Sequence, residues 1–144
     1  MKLSKKSRYG LRALIDLAVH SANGHVSLNS IAERNAISPQ YLEQVFSGLR
    51  RAGIVKSVKG AQGGYLLKIP ADQIRVSDVI VALDGNYFLE DDDGKEKGIS
   101  DANQHLLIDR VNQETETILS GLTLDDLKEE YLRNENSGED MYYI

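Results

Sequence analysis

The sequence predicts a mainly α-helical chain with one small β-hairpin, and three observations carry that expectation. Apolar residues recur at helical spacing through most of residues 5–51. A β-branched run, a glycine-rich turn and a second apolar run follow over residues 54–67, the pattern of a hairpin. Helical spacing returns over residues 76–83 and again from Asp101 onward. A chain of 144 residues has the size of one compact domain with an attached helical arm.

In chain order, Ser4 is placed to cap a first helix over residues 5–21, whose stripe is Tyr9, Leu11, Leu14, Ile15, Leu17 and Ala18. Asn23 and Gly24 end it in a turn. Ser27 then opens a shorter helix carrying Leu28, Ile31 and Ala32 and closing near Asn35. Ser38 and Pro39 start a third. The serine oxygen accepts a backbone N–H bond there, and proline at the first helical position gives up only a donor that had no partner. This helix runs to Arg51 with Leu42, Val45, Phe46 and Leu49 as its buried stripe, and Gly53 stops it. Two helices joined by the tight link Ala36-Ile37-Ser38 have the spacing of a helix-turn-helix. The hairpin that follows is then a wing. Its turn, Gly60-Ala61-Gln62-Gly63-Gly64, is no phosphate loop, because it lacks a Lys-Ser/Thr ending and leads into a strand.

Ser77 is placed to cap a buttress helix reaching Leu83, with Val76, Val79, Ile80 and Leu83 apolar. Residues 90–97 are so polar that a mobile loop is expected. Asp91, Asp93 and Gly94 resemble part of a calcium loop, but Gly94 at its sixth position puts Leu89 first and Ser100 twelfth, where acidic ligands are needed. A long helix over residues 101–120 carries Leu107, Val111, Ile118 and Leu122 near one face, with Leu106 and Leu119 on its flanks. Too little of the chain remains to cover that face, so it predicts a homodimer. Thr123 caps a final helix, with Leu124, Leu127, Tyr131 and Leu132, which is expected to pack back on the long one. The organisation expected is a winged helix-turn-helix DNA-binding domain with its buttress (1–84), a polar loop (85–98), a helical dimerisation arm (99–133) and a flexible tail (134–144).

Charge divides along the same line. Residues 1–69 hold eleven Lys or Arg against three Asp or Glu, a net of +8, while residues 70–144 hold six against nineteen, a net of -13. A basic half on an acidic protein suits a polyanion-binding face. In a helix-turn-helix the exposed residues at the start of the second helix enter the major groove. Here they are Ser38, Gln40, Tyr41, Glu43 and Gln44. The Gln44 amide has the chemistry to read adenine, Glu43 to accept from cytosine, and Ser38 or Tyr41 to bond phosphate. The plainer alternative makes Tyr41 partly core and Glu43 merely solvated. Arg8, Arg50 and Arg51 are candidate phosphate clamps, and Lys59 and Gln62 at the wing tip are candidates for a minor groove.

Catalysis finds no support. His20, His25 and His105 sit in no nucleophile or metal-ligand spacing, and no G-x-S-x-G occurs. The absence of Cys excludes disulfides, thiolate-bound zinc and cysteine-ligated iron–sulfur clusters, and no cofactor or metal is expected. No run of residues is long and apolar enough for a bilayer, and no signal peptide is recognised, so a cytoplasmic location is expected.

The run Arg8-Tyr9-Gly10, the segment SPQYLEQVFSGLR over residues 38–50 and KSVKGAQGGYL over 56–66 closely resemble the Rrf-type winged-helix transcription regulators, the family of IscR, NsrR and CymR. The resemblance covers most of residues 1–83. It implies a dimer on a palindromic operator in double-stranded DNA, with a long C-terminal helix crossing to the partner subunit. The family's cluster-binding members hold iron–sulfur with three Cys before that helix. This chain has none, which moves the likeness toward the CymR-like branch, repressors of cysteine and sulfur metabolism that act with O-acetylserine sulfhydrylase (cysteine synthase). The ending Met141-Tyr142-Tyr143-Ile144 fits a partner-binding tail, since cysteine synthase is similarly known to accept tails ending in Ile.

Overall fold

A computed structural model of the chain describes residues 3–142. Three serines start the three N-terminal helices as their sequence context requires. Ser4 accepts from the Ser7 amide at 3.1 Å and opens α1 (Lys5–His20). Ser27 accepts from Ser30 at 3.1 Å and opens α2 (Leu28–Asn35), and Ser38 accepts from Tyr41 at 3.1 Å and opens α3 (Pro39–Arg51). Between α2 and α3 the chain turns through Ala36, which adopts a left-handed conformation (φ 53°, ψ 43°), and Ile37 inserts into the core beneath the turn. The antiparallel strands β1 (Val55–Val58) and β2 (Gly64–Leu67) form the wing, paired from Val55 with Leu67 to Val58 with Gly64.

A third extended segment holds the wing to the helices. Val26 donates to the Tyr65 carbonyl at 3.0 Å and accepts from its amide at 2.8 Å. This close pairing explains Gly64: a Cβ there would stand 2.4 Å from the Val26 carbonyl oxygen, a backbone atom fixed by its own bridge. Tyr65 then lays its ring against Phe46 of α3, centroids 4.8 Å apart, so strand and helix share one core.

The buttress is α4 (Val76–Asp84). Ser77, expected as its cap, lies buried in the first turn instead; the cap falls two residues earlier, at Arg75, and the Asp78 carboxylate accepts from the Arg75 amide at 3.2 Å. Val76, Val79, Ile80 and Leu83 are buried as their spacing predicts. Leu83 sits where α1, α3 and α4 meet, 3.4 Å from a Cβ placed on Gly48 and 2.4 Å from one placed on Gly10. Only glycine in α1 lets the helices approach this closely. At the end of α4, Asp84 accepts hydroxyl bonds from Ser4 (2.6 Å) and Ser7, placing a carboxylate at the positive end of the α1 dipole.

Beyond α4 the chain has no regular structure until α5 (Lys97–Ala102), which the Glu96 carboxylate caps by accepting from Gly98 and Ile99. The polar segment expected to be mobile is strapped to the helix that follows. Leu89 exchanges hydrogen bonds with the Asn112 side chain (2.8 and 3.2 Å), and Asp92 donates its amide to Gln104 at 2.8 Å. The Gly94 amide and the Ser100 and Asn103 side chains hold the Asp92 carboxyl below its usual range. Tyr87 donates to Glu116, and this bond, with some desolvation, pushes its hydroxyl up to about 12.

The long helix starts at Lys97 rather than Asp101 and passes through a π-helical turn (Asn103–Ile108) into α6 (Asp109–Gly121). Thr123 caps α7 (Leu124–Tyr142) through a reciprocal pair with Asp126, 3.0 and 3.1 Å. Instead of packing back on α6, α7 lies along α1 and the turn Ala71–Gln73. Two backbone bonds direct it there, Val76 to the Leu122 carbonyl at 2.9 Å and Leu124 to the Ile74 carbonyl at 2.8 Å, and Leu124 is 1% exposed in the core. The helix also continues past Asn134 to Tyr142, where an irregular tail was expected.

Gly64→Ala is expected to lower stability by about 1–3 kcal/mol, since either the Val26 bridge or the strand must move. Gly121→Ala meets nothing within 4 Å and is expected to be neutral or stabilising by up to about 1 kcal/mol. Urea unfolding midpoints of the two variants check both signs.

Candidate nucleic-acid interface

Helix α3 is amphipathic, and its outer face is built from what its core stripe leaves over. With Leu42, Val45, Phe46 and Leu49 buried, Gln40, Glu43 and Gln44 stand exposed about one turn apart on the opposite side. Gln40, Glu43, Gln44, Arg50 and Arg51 line one cleft of about 570 Å³ together with Lys6, Ser47 and Tyr65. A second groove, of about 620 Å³, runs between α2 and the wing and is lined by His25, Asn29, Glu43 and the turn residues Gly60 to Gly64, Gln62 among them. Glu43 borders both. The recognition-helix candidates and the wing therefore share one face, set by the Val26–Tyr65 bridge and the Phe46–Tyr65 contact.

Charge on that face is not neutralised internally. Arg8, Arg50, Arg51 and Lys59 are exposed, and among the described residues none of them forms an ion pair. Arg34 is the contrast. Its guanidinium donates to both oxygens of Asp16 at 2.7 and 2.9 Å, and Asn35 donates to the same carboxylate at 3.0 Å, fastening α2 to α1. That bond to Asp16 raises the Arg34 pKa further. Arg34 is a brace, while the cleft arginines keep their donors for an external anion.

The remaining candidates are dispersed. Ser38 uses its oxygen to cap α3, which leaves its own O–H to donate outward. Tyr41 is half-buried and packed on the core, its ring edge-on to Tyr9 at 5.8 Å. Lys59 is exposed beside the tip, and Arg8 on α1 lines neither cleft. Two lysines escaped the sequence reading. Lys6 lines the α3 cleft, and the Lys5 ammonium lies 5.3 Å from the Tyr9 ring and 5.5 Å from the Tyr41 ring. The spacing of Lys5 and Tyr9, one helical turn apart, was the available signal.

On the arm, Leu107 is 56% and Ile118 57% exposed, Leu122 is exposed, and Val111 is half-buried. Because α7 lies on α1, the described part of this chain leaves that apolar face uncovered. Of the tail residues Met141 to Ile144, Tyr143 and Ile144 lie outside the described residues, and α7 ends at Tyr142.

A helix-turn-helix with a paired wing and an unneutralised basic face defines a winged-helix DNA-binding protein. Residues 3–130 match the Rrf2 family model, described as an iron-dependent transcriptional regulator. The chain belongs to the Rrf2 family of transcriptional regulators and is not an enzyme. It is 42% identical over 131 residues to the HTH-type transcriptional regulator CymR of Bacillus subtilis, covering 88% of this chain and 89% of CymR. The solved structure of CymR (YrzC), the global cysteine regulator of B. subtilis, superposes with a TM-score of 0.80 at 41% identity, covering 90% of this chain and 97% of that one. T. potens IscR superposes with a TM-score of 0.71, also at 41% identity, covering 91% and 88%. The iron in the family description finds no fit here: the chain has no Cys, and among the described residues no group of three or more His, Asp or Glu converges as metal ligands would.

Substituting both Arg50 and Arg51 by Ala is expected to reduce the slope of log affinity against log salt by about 2, one per phosphate contact. Arg34→Ala should leave the slope alone and lower stability by about 1–3 kcal/mol, because the Asp16 carboxylate loses its two guanidinium bonds and keeps the Asn35 amide. Gln44→Ala should relax preference at one base pair by roughly 1–3 kcal/mol. Anisotropy titrations across a salt series, with a randomised-duplex selection for Gln44→Ala, separate the three effects.

Proposed function

We propose that this chain is a dimeric, cytoplasmic repressor of cysteine and sulfur metabolism genes that binds a palindromic operator and acts with O-acetylserine sulfhydrylase (cysteine synthase) as co-repressor. One observation carries the reading: a chain without any Cys, and so without a thiolate-held cluster, has the fold of the B. subtilis global cysteine regulator over nine-tenths of its length. In this reading the signal arrives through a partner protein rather than through a cluster held by the chain itself. Dimerisation is supported by Leu107 and Ile118, whose exposed side chains lie on a face that no other part of the described chain covers. An inverted-repeat operator follows from the two-fold axis of such a dimer.

The proposed partner contact is the segment Met141 to Ile144, whose apolar residues would supply the contact area for docking where O-acetylserine binds. A second reading, a regulator that senses a small molecule directly, is favoured by a cleft of about 560 Å³ between the strap and α6, lined by Phe88, Leu89, Asn112 and Glu116 among others.

Titrating cysteine synthase with the full chain and with a chain lacking Ile144 tests the first reading. The full chain is expected to bind in competition with O-acetylserine, and the shortened chain at least about ten-fold more weakly, a loss of roughly 1.4 kcal/mol or more. Equal affinity for both chains, or indifference to O-acetylserine, contradicts docking in that active site.

A further inference from the structure

The tip of the wing is held from outside the hairpin by one side chain. Within the hairpin, Gly63 donates its amide to the Gly60 carbonyl at 3.1 Å and closes the turn. From the α2 side, ring Nε2 of His25 lies 2.5 Å from the backbone carbonyl of Gln62. A carbonyl only accepts, so Nε2 carries the proton, in the neutral Nε2–H tautomer or in the imidazolium. The next residue, Val26, makes the two-bond bridge to Tyr65. Two consecutive residues thus hold the wing at its tip and at Tyr65, one residue into β2. His25 also lines the groove between the wing and α2 that Glu43 of α3 borders.

We propose that His25 is a positioning residue for duplex binding, fixing the wing tip relative to α3 through the Gln62 carbonyl. The inference rests on the reading of α3 and the wing as one DNA-binding face. Its physical basis is the composition of the tip. Gly60 holds φ 125°, and Gly63 and Gly64 follow close by, so a freed tip regains more backbone freedom than most turns and must lose it again on the DNA. Lys59 and Gln62, both exposed, would then sample many positions relative to Gln40, Glu43 and Gln44. With the tip anchored, seating α3 in the major groove delivers Lys59 and Gln62 to the neighbouring minor groove without further ordering. His25 needs no contact with DNA for this role, and its exposed position leaves the core untouched when it is replaced.

The full chain, His25→Ala and His25→Gln are compared in two measurements. Amide exchange without DNA reads the anchor itself, and binding to a duplex enriched by the wild-type chain from a random pool reads its consequence. His25→Ala is expected to exchange the tip amides, Gly63 above all, several-fold faster with α3 unchanged, and to bind about 3- to 10-fold more weakly, the range of one hydrogen bond. The lost footprint should lie in the minor groove flanking the α3 site. His25→Gln, whose amide N–H can donate to the same carbonyl, should restore most of both. Wild-type exchange at the tip in His25→Ala, or no difference between Gln and Ala, overturns the positioning role. Faster tip exchange with wild-type affinity also overturns the positioning role, whereas a wild-type chain that enriches no duplex overturns the reading on which the role rests.

Discussion

The two-bond bridge between Val26 and Tyr65 is the constraint on which the DNA-binding face depends. A two-stranded hairpin alone is marginal in water, and this bridge adds a third extended segment to it. With it, Tyr65 is drawn onto Phe46, and the hairpin becomes part of the core that orients α3. The sequence then has to admit the approach. Gly64 supplies the missing side chain where Val26 passes, and Gly10 does the same where Leu83 enters between α1 and α3. Position and charge follow from these contacts: the exposed glutamines and arginines of α3 and the exposed tip of the wing look the same way because their buried neighbours share one cluster.

Electrostatics sorts the basic residues into two kinds. Arg34 is spent on Asp16, a side chain only 9% exposed, and ties the first two helices together. Among the described residues Arg50 and Arg51 have no carboxylate partner. The Arg34–Asp16 pair cancels within the +8 balance of residues 1–69, so bracing α2 to α1 leaves that balance unchanged. The acidic half carries its carboxylates on the strap and on α6 and α7, where several are used locally as caps or hydrogen-bond acceptors, Glu96 for α5 and Asp126 for α7.

Local chemistry was legible in the sequence, and long-range pairing was not. Ser4, Ser27, Ser38 and Thr123 each signal a helix start through atoms three residues away, and all four cap as expected. Ser77 carried the same signal, but Val76 and Ser77 are both buried and the helix start falls two residues earlier, with Arg75 as the cap residue. The path of α7 depends on bonds from Val76 to Leu122 and from Leu124 to Ile74, partners separated by about fifty residues, and no periodicity reports such contacts. The attachment of the strap is of the same kind: Tyr87 bonds to Glu116, Leu89 to Asn112 and Asp92 to Gln104, all on a helix further along the chain. On the DNA face, the candidates on α3 could be taken from the helix-turn-helix pattern alone. His25 and Lys6 could not, because each acts through a neighbour that only the fold supplies.

Photo-crosslinking tests most directly whether α3 and the wing form one DNA-reading face. A photoreactive residue is placed singly at Gln40, at Gln62 and at Glu114 of α6 in the full chain, bound to a duplex enriched from a random pool. The account predicts that the Gln40 probe attaches in a major groove, that the Gln62 probe attaches in the adjoining minor groove of the same duplex, and that the Glu114 probe attaches to neither. Attachment from Glu114, or from only one of the other two, would contradict it.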